Sequence, residues 1–239
     1  MEHINHSATH SIDRVPTGVH GLDELLEGGF LQGRIVALSG SAGSGKTTFG
    51  FQFLGQGIQE GEPGVYVTLE EESADLMHDM ARYGWDLNQW IGEKKLILLQ
   101  SPVPYEVDAA ISMDALLDEI HRAVTAIGAK RIVFDSVAAL GLPYTDFATL
   151  RRDVLRLCAL LRELGCTTIL TTEMPDGEGQ VSRFGIEHFV AQGAILLHVA
   201  QTYRGIEVRK MRGTRHDTNV HRMRITDKGL VVSPGEHPF

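Results

Sequence analysis

The chain has 239 residues, 43% of them apolar and 22% charged, with a formal net charge of −9. This composition is typical of a globular protein with one large core, and the acidic balance argues against nucleic-acid binding over the whole surface. No apolar run reaches the roughly 18 residues of a membrane helix, and the polar start lacks a secretory signal. With only two cysteines and no metal-type spacing between them, these features predict a cytoplasmic protein that does not enter a membrane.

After a polar tail at residues 1–15, helices and strands alternate along the first 170 residues. A short helix is expected around Leu22 and Leu25, ended by Gly28 and Gly29. Short apolar runs predict strands at 34–38, 65–69, 96–99, 131–134 and 167–171. Amphipathic or capped segments predict helices at 47–59, 73–82, 113–127 and 147–164, with Ser73 as the N-cap of the second. This alternation indicates a mainly parallel sheet flanked by helices, an α/β fold.

Beyond residue 190 the pattern changes to strands with short connections. They are expected at 194–199, 206–211, 223–225 and 230–232, with a turn at Asp227 to Gly229. The sheet is therefore predicted to end in C-terminal antiparallel strands, within one domain over residues 16–235.

Residues 40–47 fit the phosphate-loop pattern G-x-x-x-x-G-K-[ST] and lie between a predicted strand and a predicted helix. Glycines let successive backbone N–H groups point at one phosphate, and the helix N-terminus adds positive potential. Lys46 would act on the β- and γ-phosphates in catalysis, and the Thr47 hydroxyl would ligate Mg²⁺. The loop therefore predicts binding of ATP with Mg²⁺ through Ser41, Ala42, Gly43, Ser44, Gly45, Lys46, Thr47 and Thr48.

Carboxylates follow two of the predicted strands. Asp135 ends the apolar run 131–134, the Walker B pattern, and is the expected second ligand for Mg²⁺. Glu70 and Glu71 follow the strand at 65–69. Because ligands of open parallel sheets lie at the carboxyl ends of the strands, both glutamates would face the γ-phosphate. A carboxylate there can orient the attacking water or accept its proton, so we predict ATP hydrolysis with Glu70 and Glu71 as catalytic residues.

Several ordered motifs resemble the KaiC branch of the RecA-like P-loop ATPases over about residues 11–235. They are residues 17–29, the phosphate loop, 67–71, 83–86, 134–136, 150–152, 171–173, 183–185, 210–214 and 225–227. The resemblance implies a RecA-like fold, a homohexameric ring with ATP between subunits, and catalysis by the paired glutamates. It also implies that the neighbouring subunit reaches the nucleotide with Lys210, Met211, Arg212, Thr214 and His216. Asp227 matches a residue near the adenosine end, and Arg82 lies where the family packs a different side chain against the base.

Strand alternation predicts that Lys210, Arg212 and Thr214 share one face and Arg209 the other. Three functions remain open: an ATP-driven ring that signals through an unknown protein partner, a RecA-like or RadA-like DNA-handling ATPase, and a Ser/Thr autokinase of the clock type. The DNA alternative depends on a basic cluster at Arg204, Arg209, Lys210, Arg212, Arg215, Arg222 and Arg224. The autokinase is disfavoured because His188 and Phe189 occupy the positions that match the phosphorylation sites.

Overall fold

A computed structural model describes residues 13–101, 113–141, 146–174 and 190–237. Most of the predicted N-terminal tail and the positions His188 and Phe189 lie outside these ranges. None of the helices in the described ranges has the length and the hydropathy needed to cross a membrane.

The described helices are Leu22–Leu25 (α1), Lys46–Gln59 (α2), Ser73–Ala81 (α3), Leu87–Gly92 (α4), Met113–Ile127 (α5), Val137–Leu140 (α6) and Phe147–Glu163 (α7). The strands are Arg14–Val15 (β1), Phe30–Leu31 (β2), Ile35–Gly40 (β3), Gly64–Thr68 (β4), Leu96–Gln100 (β5), Arg131–Asp135 (β6), Thr167–Glu173 (β7), Gly193–Val199 (β8), Arg204–Met211 (β9), Val220–Thr226 (β10) and Gly229–Ser233 (β11).

Nine of these strands form one sheet in the order β11-β10-β9-β8-β3-β7-β6-β4-β5. The strands from β8 to β5 are parallel to one another, and β9, β10 and β11 continue the sheet as antiparallel neighbours. The predicted mainly parallel sheet with C-terminal antiparallel strands is therefore confirmed. The parallel register places the carboxyl ends of β3, β4, β6 and β7 along one edge.

Apolar side chains cover both faces of the sheet. One core cluster contains Phe49, Phe51 and Phe53 from α2 together with residues of α1, α3 and the C-terminal strands. The other core cluster contains Leu116 from α5 and Leu157 from α7. Both faces of the parallel strands are thus buried, which explains why their sequences are continuous apolar runs.

Local interactions explain where the prediction and the structure differ. Ser73 is not the N-cap of α3, because that position is Glu72, and the Ser73 hydroxyl instead donates to Gln100 Oε1 at 2.8 Å. The short helices α4 and α6 were not predicted. The side chain of Asp86 accepts from Gln89 N at the start of α4, and Ser136 accepts from Ala139 N at the start of α6.

Candidate nucleotide-binding site

The phosphate loop joins the end of β3 at Gly40 to the start of α2 at Lys46. Gly43 (φ 69°) and Gly45 (φ 106°) adopt the left-handed backbone that glycine tolerates without strain. A Cβ atom at Gly40 would lie 2.3 Å from the Ser44 Oγ. Gly40 therefore has no room for a side chain, and Gly43 and Gly45 have the backbone conformation that a phosphate cradle requires.

Lys46 lies folded against this loop. Its Nζ donates to the carbonyl oxygens of Gly40 at 2.9 Å and Ser41 at 3.1 Å. Burial lowers the pKa of Lys46, and the negative charges of Asp135 and Glu173 act in the opposite direction. The ammonium group is thus held at the mouth of the loop, where it can contact an entering phosphate.

Three hydroxyl groups surround the carboxylate of Asp135 at the end of β6. Thr47 Oγ1 donates to Asp135 Oδ2 at 3.2 Å, the Tyr66 hydroxyl donates to the same oxygen, and Thr171 donates to Asp135 Oδ1. Burial raises the pKa of Tyr66 well above its ordinary value, so this hydroxyl keeps its proton. Mg²⁺ in nucleotide sites takes few protein ligands and completes its shell with phosphates and water, so the Thr47–Asp135 pair fits it.

Glu70 and Glu71 lie two and three residues beyond the end of β4, the strand next to β6. Ser136 Oγ donates to Glu70 Oε2 at 2.8 Å, and the backbone N–H of Glu71 donates to Thr68 Oγ1 at 3.1 Å. Burial raises the pKa of Glu71, and the negative charge of Asp135 adds to this effect. A carboxylate with a raised proton affinity is suited to accept a proton from water.

These groups line one cavity of about 470 Å³. Of the residues predicted from the sequence, Ala42, Gly43, Ser44, Gly45, Lys46, Thr47, Thr48, Glu70, Glu71, Arg82 and Asp135 line it. Ser41 contributes the carbonyl oxygen that accepts from Lys46. The cavity has the size of a small-molecule site.

The lining also contains Asp79, Met80, Tyr83, Ser136, Glu173 and Ile225, to which the sequence assigned no role. Glu173 ends β7 as Asp135 ends β6, so the rule that identified Asp135 could also have found Glu173. Asp79 and Met80 lie within α3, where the sequence gave no signal for a binding role. The Arg82 guanidinium carbon lies 5.2 Å from the centroid of the Tyr83 ring, which itself lies 5.0 Å from the Trp85 ring. Arg82 and Tyr83 thus give an aromatic and cationic surface to the end of the cavity that lies next to α3.

The cations that the resemblance assigns to the nucleotide lie at the opposite end of the strands. Met211 pairs with Gly193, and Gly193 pairs with Val36, whereas the phosphate loop begins four residues later at Gly40. Four residues of strand span about 13 Å. Lys210, Met211, Arg212, Thr214 and His216 are therefore not brought to the cavity of their own chain.

The predicted alternation beyond Lys210 is wrong, because β9 ends at Met211 and Arg212 and Gly213 form a turn. Lys210 Nζ donates to the carbonyl oxygen of Ala191 at 2.8 Å, and Met211 is buried. Arg14 Nη1 donates to Thr214 Oγ1 at 2.6 Å, and His216 Nδ1 lies 3.1 Å from the carbonyl oxygen of Thr214. Thr214 is therefore held by Arg14 of β1, and Lys210 by the backbone just before β8.

Residues of the antiparallel strands do reach the phosphate loop. Arg204 at the start of β9 donates from Nη1 to the carbonyl oxygen of Gly43 at 2.8 Å, and Ile225 of β10 lines the cavity. Asp227 lies in the turn between β10 and β11, two residues beyond Ile225, and is not among the lining residues. The structure thus brings Asp227 near the cavity without placing it in the lining.

A model of the family described as the ATPase KaiC matches residues 15–237. The chain belongs to the KaiC family of ATPases. The circadian clock protein KaiC3 of Synechocystis sp. is 39% identical over 95% of this chain and 46% of its own length. The circadian clock oscillator protein KaiC of Prochlorococcus marinus subsp. pastoris is 36% identical over 96% of this chain and 47% of its own length.

This KaiC-family chain therefore spans about half the length of the curated relatives it matches. The crystal structure of a KaiC-like protein from Pyrococcus horikoshii OT3 superimposes with a TM-score of 0.85 at 42% identity, covering 93% of this chain and 100% of that one. The fold is RecA-like, as the resemblance implied. Membership of an ATPase family supports nucleotide binding at the phosphate loop.

Proposed function

We propose that this protein binds ATP with Mg²⁺ and hydrolyses it to ADP and phosphate in the cavity between the phosphate loop and the ends of β4, β6 and β7. The observation that carries this proposal is the meeting of the phosphate loop, the Thr47–Asp135 pair and Glu71 in one cavity. These are the parts that phosphoryl transfer to water needs: a phosphate cradle, a metal position and a carboxylate beside the γ-phosphate.

Each group has a defined part in the proposed reaction. The loop amides and Lys46 hold the β- and γ-phosphates, and Thr47 and Asp135 hold the metal. A Mg²⁺ ion held by these two residues would offset negative charge on the phosphate oxygens. Glu71 accepts the proton of the water that attacks the γ-phosphorus, and the bond to the bridging oxygen of ADP breaks. Glu70, held by Ser136, orients that water.

A second copy of the chain completes the site in this proposal. Within one chain Lys210 and Arg212 lie about 13 Å along the strands from the phosphate loop, and Arg212 is exposed. Cations opposite the γ-phosphate stabilise the charge that develops in the transition state. We therefore propose that Lys210, Arg212, Thr214 and His216 act on the nucleotide of a neighbouring copy in a ring, as the resemblance implies, and that the ring is a hexamer.

The nucleotide state of this ring would regulate an unknown protein partner in the cytoplasm. A site shared between copies couples nucleotide exchange to the geometry of assembly, because a ligand that binds one arrangement better shifts the population towards it. Partner binding that depends on whether ATP or ADP is bound would follow from the same coupling.

Binding of DNA is a weaker alternative, because several arginines of the basic cluster already form ion pairs or hydrogen bonds within the chain. Arg209 pairs with Glu207 at 2.7 Å, Arg215 with Glu27 at 3.3 Å, and Arg204 donates to the phosphate loop. We expect no gel shift with duplex or single-stranded DNA at low salt. A shift whose affinity falls steeply as salt rises would instead favour the DNA-handling function.

Autophosphorylation is the other alternative. With γ-labelled ATP we expect free labelled phosphate and no labelled protein. A labelled Ser or Thr side chain would establish the kinase function and contradict simple hydrolysis.

The proposed function is tested by nucleotide binding, turnover and mass in solution. We expect a fluorescent ATP analogue to bind more tightly with Mg²⁺ than with EDTA, and phosphate release to require Lys46. Lys46→Ala should lose binding and release, whereas Lys130→Ala, which removes an exposed lysine, should retain both. ATP should also raise the mass of the assembly. A wild-type protein that binds no ATP analogue with Mg²⁺ would overturn the proposal.

A further inference from the structure

Tyr66 lies at the centre of β4, in the middle of an apolar stretch, and its side chain is fully buried. Its ring stacks on Phe51 of α2, with centroids 4.2 Å apart and planes 9° from parallel. The ring therefore belongs to the core between the sheet and the helix that follows the phosphate loop.

Packing in the core explains the ring of Tyr66 but does not explain its hydroxyl group. A buried hydroxyl costs free energy unless it is hydrogen-bonded, and phenylalanine would supply the same stacked ring without a polar atom. The hydroxyl of Tyr66 donates to Asp135 Oδ2. Gly50 of α2 leaves room for this arrangement, because a Cβ atom there would lie 3.3 Å from Tyr66 Cε2 and 2.9 Å from Val133 Cγ1.

Tyr66 and Thr171 hold the carboxylate of Asp135 from two neighbouring strands. Thr171 of β7 donates to Oδ1, and Tyr66 of β4 donates to Oδ2, so both oxygens are fixed from within the sheet. Thr47 also donates to Oδ2, but it comes from the phosphate loop and its oxygen is needed by the metal. If Thr47 ligates the metal instead, the two donors from the sheet remain to hold the carboxylate of Asp135.

We propose that Tyr66 is a positioning residue that sets the affinity of the site for Mg²⁺ by fixing the orientation of the Asp135 carboxylate through its hydroxyl. This inference rests on the proposed function, because it takes Asp135 as a holder of the metal. Outer partners of metal ligands typically contribute about 10–100-fold in metal affinity. The proposal therefore concerns the metal dependence of nucleotide binding and not the affinity of the loop for phosphate alone.

Tyr66→Phe tests the proposal, since it removes one oxygen and keeps the ring stacked on Phe51. Mg²⁺ is titrated into the protein with a fluorescent, non-hydrolysable ATP analogue, so that no turnover contributes to the signal. We expect the half-saturating Mg²⁺ concentration to rise about tenfold, while the affinity for the analogue in EDTA changes less than about twofold. Thr171→Val removes the donor to Oδ1. The double variant Tyr66→Phe/Thr171→Val should therefore need more Mg²⁺ for half-saturation than Tyr66→Phe alone.

Tyr203→Phe is the matched control, because it makes the same chemical change outside the lining of the cavity. Its Mg²⁺ titration should match the wild type. Wild-type protein that shows no Mg²⁺-dependent binding would overturn the proposed function itself. If the wild type binds and Tyr66→Phe titrates like it, the inference is wrong. Equal losses with Mg²⁺ and with EDTA would also overturn it, because they would indicate general damage to the fold.

Discussion

The two ends of the parallel strands differ in what they place at the surface. The carboxyl ends hold the phosphate loop, two glutamates, Asp135 and Glu173 around one cavity. At the amino ends, the turn after β9 presents Arg212 and Arg215, and Arg14 and Glu27 hold this turn by hydrogen bonds to Thr214 and Arg215. One end is a concave anionic site around a single lysine, and the other is an exposed cationic loop.

Within one chain the cavity and the cationic turn lie at opposite ends of the parallel strands, and in the proposed function the turn serves the cavity of a neighbouring copy. The described cavity lining combines Lys46 and Arg82 with five carboxylates, Glu70, Glu71, Asp79, Asp135 and Glu173. A triphosphate adds further negative charge there, which Mg²⁺ and outside cations can offset.

Among variants that keep nucleotide binding, the largest effect is expected for Glu71→Gln at the carboxyl end. The amide keeps the size of the side chain but cannot accept a proton, so we expect the rate of phosphate release to fall about 10³-fold. Binding of the ATP analogue should remain within a few-fold of the wild type. The neighbouring exposed Glu72 gives a matched control, and Glu72→Gln should turn over normally. Normal turnover in both Glu70→Gln and Glu71→Gln would refute the catalytic assignment.

The next largest effect is expected for Arg212→Ala at the amino end. We expect turnover to fall about 10²-fold, because transition-state charge loses one stabilising cation. Mixing this variant with Lys46→Ala should restore part of the activity, since some interfaces then combine an intact loop with an intact Arg212. Turnover of the mixtures is measured against each variant alone. An absence of recovery would show that Arg212 does not act across an interface.

Gln52 of α2 joins the phosphate-loop helix to the C-terminal strands. Its Nε2 donates to the carbonyl oxygens of Gly18 at 2.7 Å and Leu230 at 3.1 Å, and its Oε1 accepts from Leu230 N at 2.7 Å. Gln52→Ala should lower the free energy of unfolding by about 2 kcal/mol, because partly buried backbone groups lose their partners. Urea denaturation measures this change. Gln59→Ala, at an exposed position of the same helix, should leave the midpoint unchanged.

The smallest effect is expected for Arg204→Ala. Arg204 donates to the carbonyl oxygen of Gly43 across an exposed contact, and such contacts contribute little. We expect the dissociation constant for the ATP analogue to rise about threefold. Arg224→Ala removes an exposed arginine from β10 and serves as the control. Equal affinities in wild type and Arg204→Ala would show that this contact does not support the phosphate loop.

The sequence was sufficient for the elements whose signal is local. Helix α7 begins at Phe147 because Asp146 accepts from the N–H groups of Ala148 and Thr149, and its buried positions follow a helical period. Strand β3 and the phosphate loop were likewise readable as an apolar run followed by glycines. Asp135 was found because it ends the apolar run 131–134, the Walker B pattern, in a chain that also contains a phosphate loop.

Other features depend on contacts that are distant in sequence. The order of the strands, in which β3 lies between β7 and β8, has no local signal. Tyr66 looks like an ordinary core residue until Asp135, 69 residues away, is brought to its hydroxyl. The predicted shared face of Lys210, Arg212 and Thr214 was wrong because β9 ends at Met211, and a strand end is set by pairing as much as by composition.

In the proposed ring, the separation of the cavity from the cationic turn along the strands would also determine how many working sites an assembly has. If each phosphate loop needs the cationic turn of the next copy, the copies contact one another head to tail. Each copy then contributes one half of a site on either side. An open row of copies then has one complete site fewer than it has members, whereas a closed ring has as many sites as members. Closure would therefore switch on one further site without any change within a subunit.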